Sequence, residues 1–297
     1  MIDLKQISRN LEQSPQGDWL CKSMCAVSYP EWGNQACFDV EDSSFWFRHR
    51  NACILEVMRQ YPPPGPLFDI GGGNGFIAKA MQDAGLEVVL VEPGGAGTTN
   101  ARKRGIQHVV RATLEDAGFL SGTLPAVGLF DVVEHMADDQ LALANIASTL
   151  REGGRAIVLV PQGQSIYGTL DVVLGHHRRY SEQDLSNVME QAGLRVEKMI
   201  RFNRVTRPAW YMNGKILRRR AFGRLQLWIF DRTVWLWRRI DRWLPWNPVS
   251  IIAVGVKHYT EDAALINAQD SLGIRHSAGS DQALPGDSPP ARRTSQI

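Results

Sequence analysis

Three short stretches of this chain gather side chains able to do chemistry. In Phe130-Asp-Val-Val-Glu-His-Met136, the residues Asp131, Glu134 and His135 stand at i, i+3 and i+4, a spacing that predicts three polar groups on one helical face. A histidine there suits removal of the proton from a hydroxyl nucleophile, with Glu134 as its carboxylate companion. Oxygen and imidazole donors together also suit Mg, Mn or Zn, although this stretch offers no fourth ligand and the metal reading is the weaker one. A plainer alternative keeps Asp131 beside a bound ligand and has Glu134 and His135 cap and orient the next helix.

The second stretch is Gly175-His-His-Arg-Arg-Tyr180. His176, Arg178, Arg179 and Tyr180 are candidates for holding a substrate, since arginines grip phosphate or carboxylate through forked hydrogen bonds. The competing reading pairs Arg178 or Arg179 with a helix end or an acidic loop. Asp171 is a further acid nearby to which no role is assigned.

The third stretch is Asp69-Ile-Gly-Gly-Gly-Asn-Gly75. Glycines allow a tight strand-to-helix turn and let a ligand approach the backbone closely. The spacing departs from the dinucleotide pattern G-x-G-x-x-G, because Phe76 stands at the third position and Gly75 comes early. Asp69 would repel a pyrophosphate but suits a zwitterionic ligand bearing a sulfonium. Glu92, at the end of the next apolar run, is placed to accept hydrogen bonds from both hydroxyls of a ribose.

With Glu92, this segment closely resembles the first two motifs of class I methyltransferases, which use S-adenosylmethionine. The resemblance extends from about Phe45 to Lys257. It implies that Gly71, Gly73 and Asn74 line the methionine side of the cofactor, with Gly75 in the same turn and Glu92 on the ribose. It further implies an adenine contact at Thr113-Leu114, where many relatives carry Asp in place of Thr113. Asp131 would then lie on the floor facing the transferred methyl. Ubiquinone-type O-methyltransferases and small-RNA 2′-O-methyltransferases carry a similar Glu-x-x-Glu-His segment that binds a divalent metal. Here Asp131 replaces the first Glu, which counts against a metal. The Gly-His-x-Arg-Arg-Tyr segment resembles one found in a subgroup of bacterial methyltransferases.

The elements that must position these groups are readable from apolar patterning. Strands are predicted at Leu67–Ile70, Glu87–Val91, Gln107–Val110, Val127–Asp131 and Ala156–Val160, then at Leu194–Ile200 and Val249–Lys257. Helices at Gly75–Ala84, Thr98–Arg104, Asp138–Leu150 and Glu182–Ala192 alternate with them. Such alternation predicts an α/β, Rossmann-like sheet of seven strands, mostly parallel, with helices on both faces. The divisions expected are a helical N-terminal cap at 1–60, a core at 61–202, a helical insertion at 203–248, the last core strand at 249–257 and a disordered tail at 258–297. In the cap, Phe45-Trp-Phe47 either closes over the cofactor or substrate or is plain core.

Composition is that of an ordinary globular chain, 44% hydrophobic and 22% charged over 297 residues. No apolar run approaches membrane-span length, and the N-terminus lacks a basic-then-apolar leader, so a cytoplasmic protein is expected. Cys21, Cys25, Cys37 and Cys53 lack paired C-x-x-C spacing, which favours reduced thiols over zinc.

The net charge of +2 hides an asymmetry. From Arg201 to Arg242 there are twelve Lys/Arg against two Asp, a local excess of +10. On a helical wheel for Arg224–Leu244, the arginines 224, 232, 238, 239 and 242 share an arc of about 120° with Asp231. Leu225, Ile229, Phe230, Val234, Leu236, Trp237, Ile240 and Leu244 fill the wide opposite side, and Trp228 and Trp235 sit among the arginines. Three readings stay open: a helix at the inner membrane surface, with arginines toward lipid phosphates; packing on the parent domain or in a homodimer; and contact with a nucleic-acid backbone, the least supported because no RNA-binding motif is present.

The function expected is S-adenosylmethionine-dependent methylation, of oxygen first, on a small-molecule, glycan-related or lipid-linked acceptor. An RNA methyltransferase and a non-catalytic cofactor-binding assembly protein are the alternatives.

Overall fold

The computed structural model describes residues 3–15, 17–21, 31–42, 44–221 and 223–258. Cys25 and the expected disordered tail beyond His258 lie outside them. Among the described residues, nine strands form one sheet: β1 (Leu11–Gln13), β2 (Trp19–Cys21), β3 (Leu67–Ile70), β4 (Val88–Val91), β5 (His108–Arg111), β6 (Leu124–Phe130), β7 (Leu150–Pro161), β8 (Leu194–Phe202) and β9 (Ser250–Lys257). Their order is β1-β2-β5-β4-β3-β6-β7-β9-β8. Neighbours from β2 through β7 run parallel. The β1–β2, β7–β9 and β8–β9 pairs are antiparallel.

Parallel strands covered on both faces read as continuous apolar runs, as in Val88-Val-Leu-Val91, where all four residues are buried. The pleat sends alternate side chains to opposite layers. Phe68, Val89 and Val110 join one core cluster, and Leu67, Leu90 and Val109 the other. The crevice at the carboxyl ends of β3, β4, β6 and β7 lies where the strand order reverses, the position at which open α/β sheets bind ligands.

Two expectations change. The sheet has nine strands rather than seven, because β1 and β2 extend the β5 edge; Trp19 and Leu20 pair with Val110 and Arg111. Residues 1–60 are therefore not purely helical: the helices Leu4–Ile7, Glu31–Glu41 and Phe45–Gln60 accompany the two strands. Strands of three residues leave no periodicity to read.

The segment between β8 and β9 is helical, as expected: Arg207–Tyr211, a π-helical turn Met212–Ile216, and Arg224–Ile240. The long helix packs on Phe45–Gln60. The rings of Phe230 and Phe45 stack at 5.3 Å, and the Phe45 amide donates to Asp231 Oδ1 at 2.6 Å. That bond satisfies an otherwise orphan amide of the helix's first turn, where Ser44 makes no side-chain cap.

Candidate functional site

A cavity of about 360 Å³ occupies the crevice. Its first wall is the turn after β3. Gly71, Gly73 and Gly75 have φ of 69°, 54° and 74°, values that disfavour any side chain. A Cβ on Gly71 would lie 2.9 Å from Val132 Cγ2, and one on Gly72 would lie 2.7 Å from Asp69 Oδ2. Gly71 and Gly73 line the cavity; Gly75 does not. Gly75 begins the helix Phe76–Asp83 and packs so closely on Ala101 and Ile106 that a Cβ there would lie 3.1 Å from Ala101 Cβ and 3.0 Å from Ile106 Cγ1, tighter than an ordinary contact. In this structure its surroundings are those of close helix packing.

Two acids stand behind this turn. Glu92, just past β4, accepts from Gly73 N at 3.0 Å and from Gly94 N at 2.7 Å, so it braces the glycine backbone while facing the cavity. Burial raises its pKa against those two bonds. Asp69 is fully buried, and one carboxylate oxygen lacks a hydrogen-bond partner. Desolvation pushes it up to about 7, with Glu92 adding to the rise and Arg50 opposing it.

Asn74 lines the cavity, but its amide is engaged elsewhere. It donates to Glu41 Oε1 at 3.2 Å and accepts from Asn100 at 3.0 Å, while Glu41 pairs with Arg104 at 2.8 Å. Thr113 and Leu114 are not among the lining residues. The Thr113 hydroxyl accepts from Asp116 N at 3.0 Å, capping the short helix Leu114–Ala117, and Leu114 packs into the core. At the positions of the implied adenine contact, both side chains are thus engaged in local structure.

The opposite wall follows β6. Asp131 has φ of 56°, rare for a residue with a side chain, and forms an ion pair with Arg50. The chain then turns through a 3-10 segment, Val133–His135. This geometry replaces the α-helical face that the spacing implied, so Asp131 parts from the other two. Glu134 and His135 are joined instead by His176, and ligating atoms of these three lie within 4.8 Å of one another.

Glu134 is fully buried, and neither carboxylate oxygen has a hydrogen-bond partner. Burial, then the charge of Asp131, raises its pKa well above the ordinary value. The His135 ring lies 5.0 Å from that of His176, and its Nδ1 is 3.2 Å from the Gly175 carbonyl. A carbonyl only accepts, so Nδ1 carries the proton and Nε2 the lone pair in neutral imidazole. Burial lowers the His135 pKa, and the neighbouring His176 adds to the effect, which keeps the ring neutral near pH 7.

His176 is held through Nδ1 by Asp171 Oδ1 at 3.0 Å, with Nε2 3.9 Å from Glu134. The same Asp171 oxygen accepts from Arg179 Nε at 2.6 Å. Burial pushes the Asp171 pKa up, but His176 and Arg179 outweigh it and the net shift is downward. Asp171 thus acquires a role: it orients one histidine and one arginine of the cavity wall.

Of the four substrate-holding candidates, His176 and Arg179 line the cavity, while Arg178 and Tyr180 do not. Arg178 pairs with Asp139 at 2.7 Å and donates to the Ala137 carbonyl at 2.6 Å; the Tyr180 hydroxyl donates to Asp139 at 2.5 Å. Both tie the loop to the start of the helix Asp139–Thr149, the helix-end pairing foreseen as the competing reading.

Sequence reasoning passed over several lining residues. Arg50, Trp210 and Glu41 line the cavity but had no motif to mark them. The signal for Arg50 was its place one turn beyond Trp46 and Phe47, which lines all three on one helix face. Trp46 and Phe47 face the cavity, the Trp46 ring stacking on Trp210 at 6.0 Å, while Phe45 is buried against Phe230. The aromatic triplet is therefore divided, with Phe45 in the packing of the two helices and Trp46 and Phe47 on the cavity wall.

Against known proteins, the chain matches the family described as a methyltransferase domain over residues 45–199. It is 23% identical over 171 residues to a Mycolicibacterium smegmatis protein named a probable S-adenosylmethionine-dependent methyltransferase, covering 57% of this chain and 66% of that one. It is 32% identical over 97 residues to a ubiquinone biosynthesis O-methyltransferase of Rhizobium etli, covering 31% of this chain and 39% of the relative. The chain thus spans about two thirds or less of these curated relatives. The structure of a Thermotoga maritima SAM-dependent methyltransferase superposes with a TM-score of 0.52 at 18% identity, over 76% of this chain and 95% of that one, and so shares the fold.

Proposed function

This chain belongs to the methyltransferase-domain family, and from that premise we propose that it transfers the methyl group of S-adenosylmethionine to an oxygen of a small-molecule, glycan-related or lipid-linked acceptor. The observation that carries the cofactor reading is the pairing of Glu92 with the Gly71–Gly73 turn on one cavity wall, beside the buried Asp69. The backbone approach freed by the glycines admits the methionine portion, Glu92 receives the ribose hydroxyls, and Asp69 offsets the positive charge.

The acceptor reading rests on the other wall. His135 presents a neutral imidazole, whose Nε2 lone pair can take the proton of an acceptor hydroxyl as oxygen attacks the methyl carbon and the sulfonium leaves as a thioether. Trp46, Phe47 and Trp210 supply apolar surface for the body of the acceptor, and Arg179 supplies charge near its polar end. Holding the two partners in line contributes much of the acceleration. The partial match to an O-methyltransferase is in keeping with this choice of atom.

A second reading of the same wall is favoured by the buried Glu134 carboxylate, whose oxygens accept no hydrogen bond. Glu134, His135 and His176 form a donor set that suits a divalent cation, with His176 in the place the sequence reading had considered for Asp131. Such an ion would act as a Lewis acid on the acceptor oxygen. Loss of activity on chelation, restored by Mg or Mn, supports the ion; unchanged activity after chelation leaves His135 as the base.

The cofactor reading is tested by calorimetric titration with S-adenosylmethionine and S-adenosylhomocysteine. Micromolar binding is expected, weakened about 100-fold or more in Glu92→Ala, since hydrogen bonds to a charged group are worth roughly 1.5–3 kcal/mol each. Absence of binding by the unaltered protein would overturn the proposal.

A further inference from the structure

We propose that the outward faces of the segment between β8 and β9, together with the neighbouring helix Thr169–Leu174, form a docking surface for an anionic lipid bilayer, with the cavity opening beside it.

The helix Arg224–Ile240 has two unlike sides. One rests on Phe45–Gln60 through Phe230 and Asp231. Along the other, exposed residues recur at helical spacing: Leu225 at 70%, Trp228 at 55%, Ile229 at 43% and Trp235 at 62%. Exposed Arg232 and Arg239 complete the same stripe. The Arg232 guanidinium lies 5.4 Å from the Trp228 ring, and that of Arg242 lies 4.9 Å from the Trp243 ring. The wheel's simple division, arginines on one side and apolar residues on the other, thus resolves into a packed apolar side and an exposed side where apolar and cationic groups interleave.

A second patch adjoins the site. The Thr169 hydroxyl donates to the carbonyls of Gly214, at 3.2 Å, and Arg219, at 2.6 Å, binding the helix Thr169–Leu174 to the π-helical turn. On that joined unit, Val172, Val173 and Leu174 are exposed at 64%, 45% and 47%, and Ile216 and Leu217 at 56% and 48%. Arg218, Arg219 and Arg220 follow directly, all exposed. Leu174 also lines the cavity, so the apolar surface reaches its mouth.

Exposed apolar patches of this extent mark a partner, and the chemistry here selects which. Tryptophans gather at membrane–water interfaces, and arginines there extend their stems over apolar surface while their heads meet phosphates. The local excess of +10 between Arg201 and Arg242 complements an anionic leaflet. A nucleic acid would answer the arginines but leave Leu225, Ile229 and Val172 wet. Among the described residues no helix is long and apolar enough to cross a membrane, so the helix would lie in the interface plane. That an acceptor could then enter from the bilayer is a corollary resting on the proposed function.

The test is flotation of the full chain with phosphatidylglycerol-containing vesicles and with phosphatidylcholine vesicles, at low and high salt. Binding is expected to the anionic vesicles at low salt, with weakening at high salt. The double variants Trp228→Ala/Trp235→Ala and Arg232→Glu/Arg239→Glu should each lose about tenfold or more in binding. Circular dichroism and cofactor titration should stay as in the unaltered protein, which separates failure here from failure of the enzymatic reading. No flotation with anionic vesicles at either salt would overturn the proposal. So would a solution dimer that Trp228→Ala/Trp235→Ala dissolves, since a second copy would then be the occupant.

Discussion

The two walls of the cavity are built in different ways. On the glycine side, backbone does the positioning: Glu92 meets two main-chain amides, and Gly71 and Gly72 have no room for a side chain. On the Glu134 side, loops and side chains do it: Asp171 fixes His176 and Arg179, the Gly175 carbonyl fixes His135, and Glu134 sits buried without a hydrogen-bond partner. A wall set by strand ends holds one ligand in one pose. A wall set by side chains on loops can be retuned for different acceptors while the sheet stays as it is.

The comparison breaks most sharply at His135. His135→Ala should lower kcat roughly 10²–10⁴-fold while cofactor binding by calorimetry is unchanged; equal loss of both would mean that the walls are not separable. The glycine wall should instead respond to pH. The folded Asp69 pKa, about 7, lies above its unfolded value of 3.8. In the unliganded protein, its protonated form therefore contributes stability that is fully present below the unfolded value and lost as pH rises through about 7. A cationic ligand favours the ionised form, so cofactor affinity should rise several-fold from roughly pH 6 to roughly pH 7.5, and Asp69→Asn should flatten that rise.

Smaller effects sharpen the boundary between site and scaffold. Asp231→Ala removes the acceptor for the Phe45 amide and should cost about 1 kcal/mol in denaturant unfolding, with faster hydrogen exchange in the first turn of Phe45–Gln60. Arg178→Ala should change kcat/KM by no more than about twofold and stability by up to about 1 kcal/mol, because its partly exposed pair with Asp139 braces a helix end. A large loss of activity in this last variant would return Arg178 to the substrate site.

How legible each wall was follows from how local its interactions are. The glycine turn and Glu92 could be read directly, because a strand, a tight turn and a strand end are set by neighbours in the chain. Six of the seven longer strands fell within three residues of their observed bounds, since buried β-branched runs announce themselves, whereas β7 begins at Leu150, six residues before the expected Ala156, because its first residues are charged and glycine-rich. The His135–His176 pairing joins residues 41 positions apart in the chain, and the left-handed Asp131 defeats a helical-spacing argument. Thr113 was assigned from its place after a strand, yet its hydroxyl is drawn to its own helix cap. The short β1 and β2 gain their identity from pairing with β5, which no local pattern records.

The helix Phe45–Gln60 has two attachments within its first two turns. Phe45 answers to the segment between β8 and β9 through its amide and ring, and Trp46, Phe47 and Arg50 answer to the cavity. A displacement of the outer helix and a ligand in the cavity would therefore bear on the same two turns, and if the two events are coupled, thermodynamic reciprocity requires that each alter the affinity for the other by the same factor.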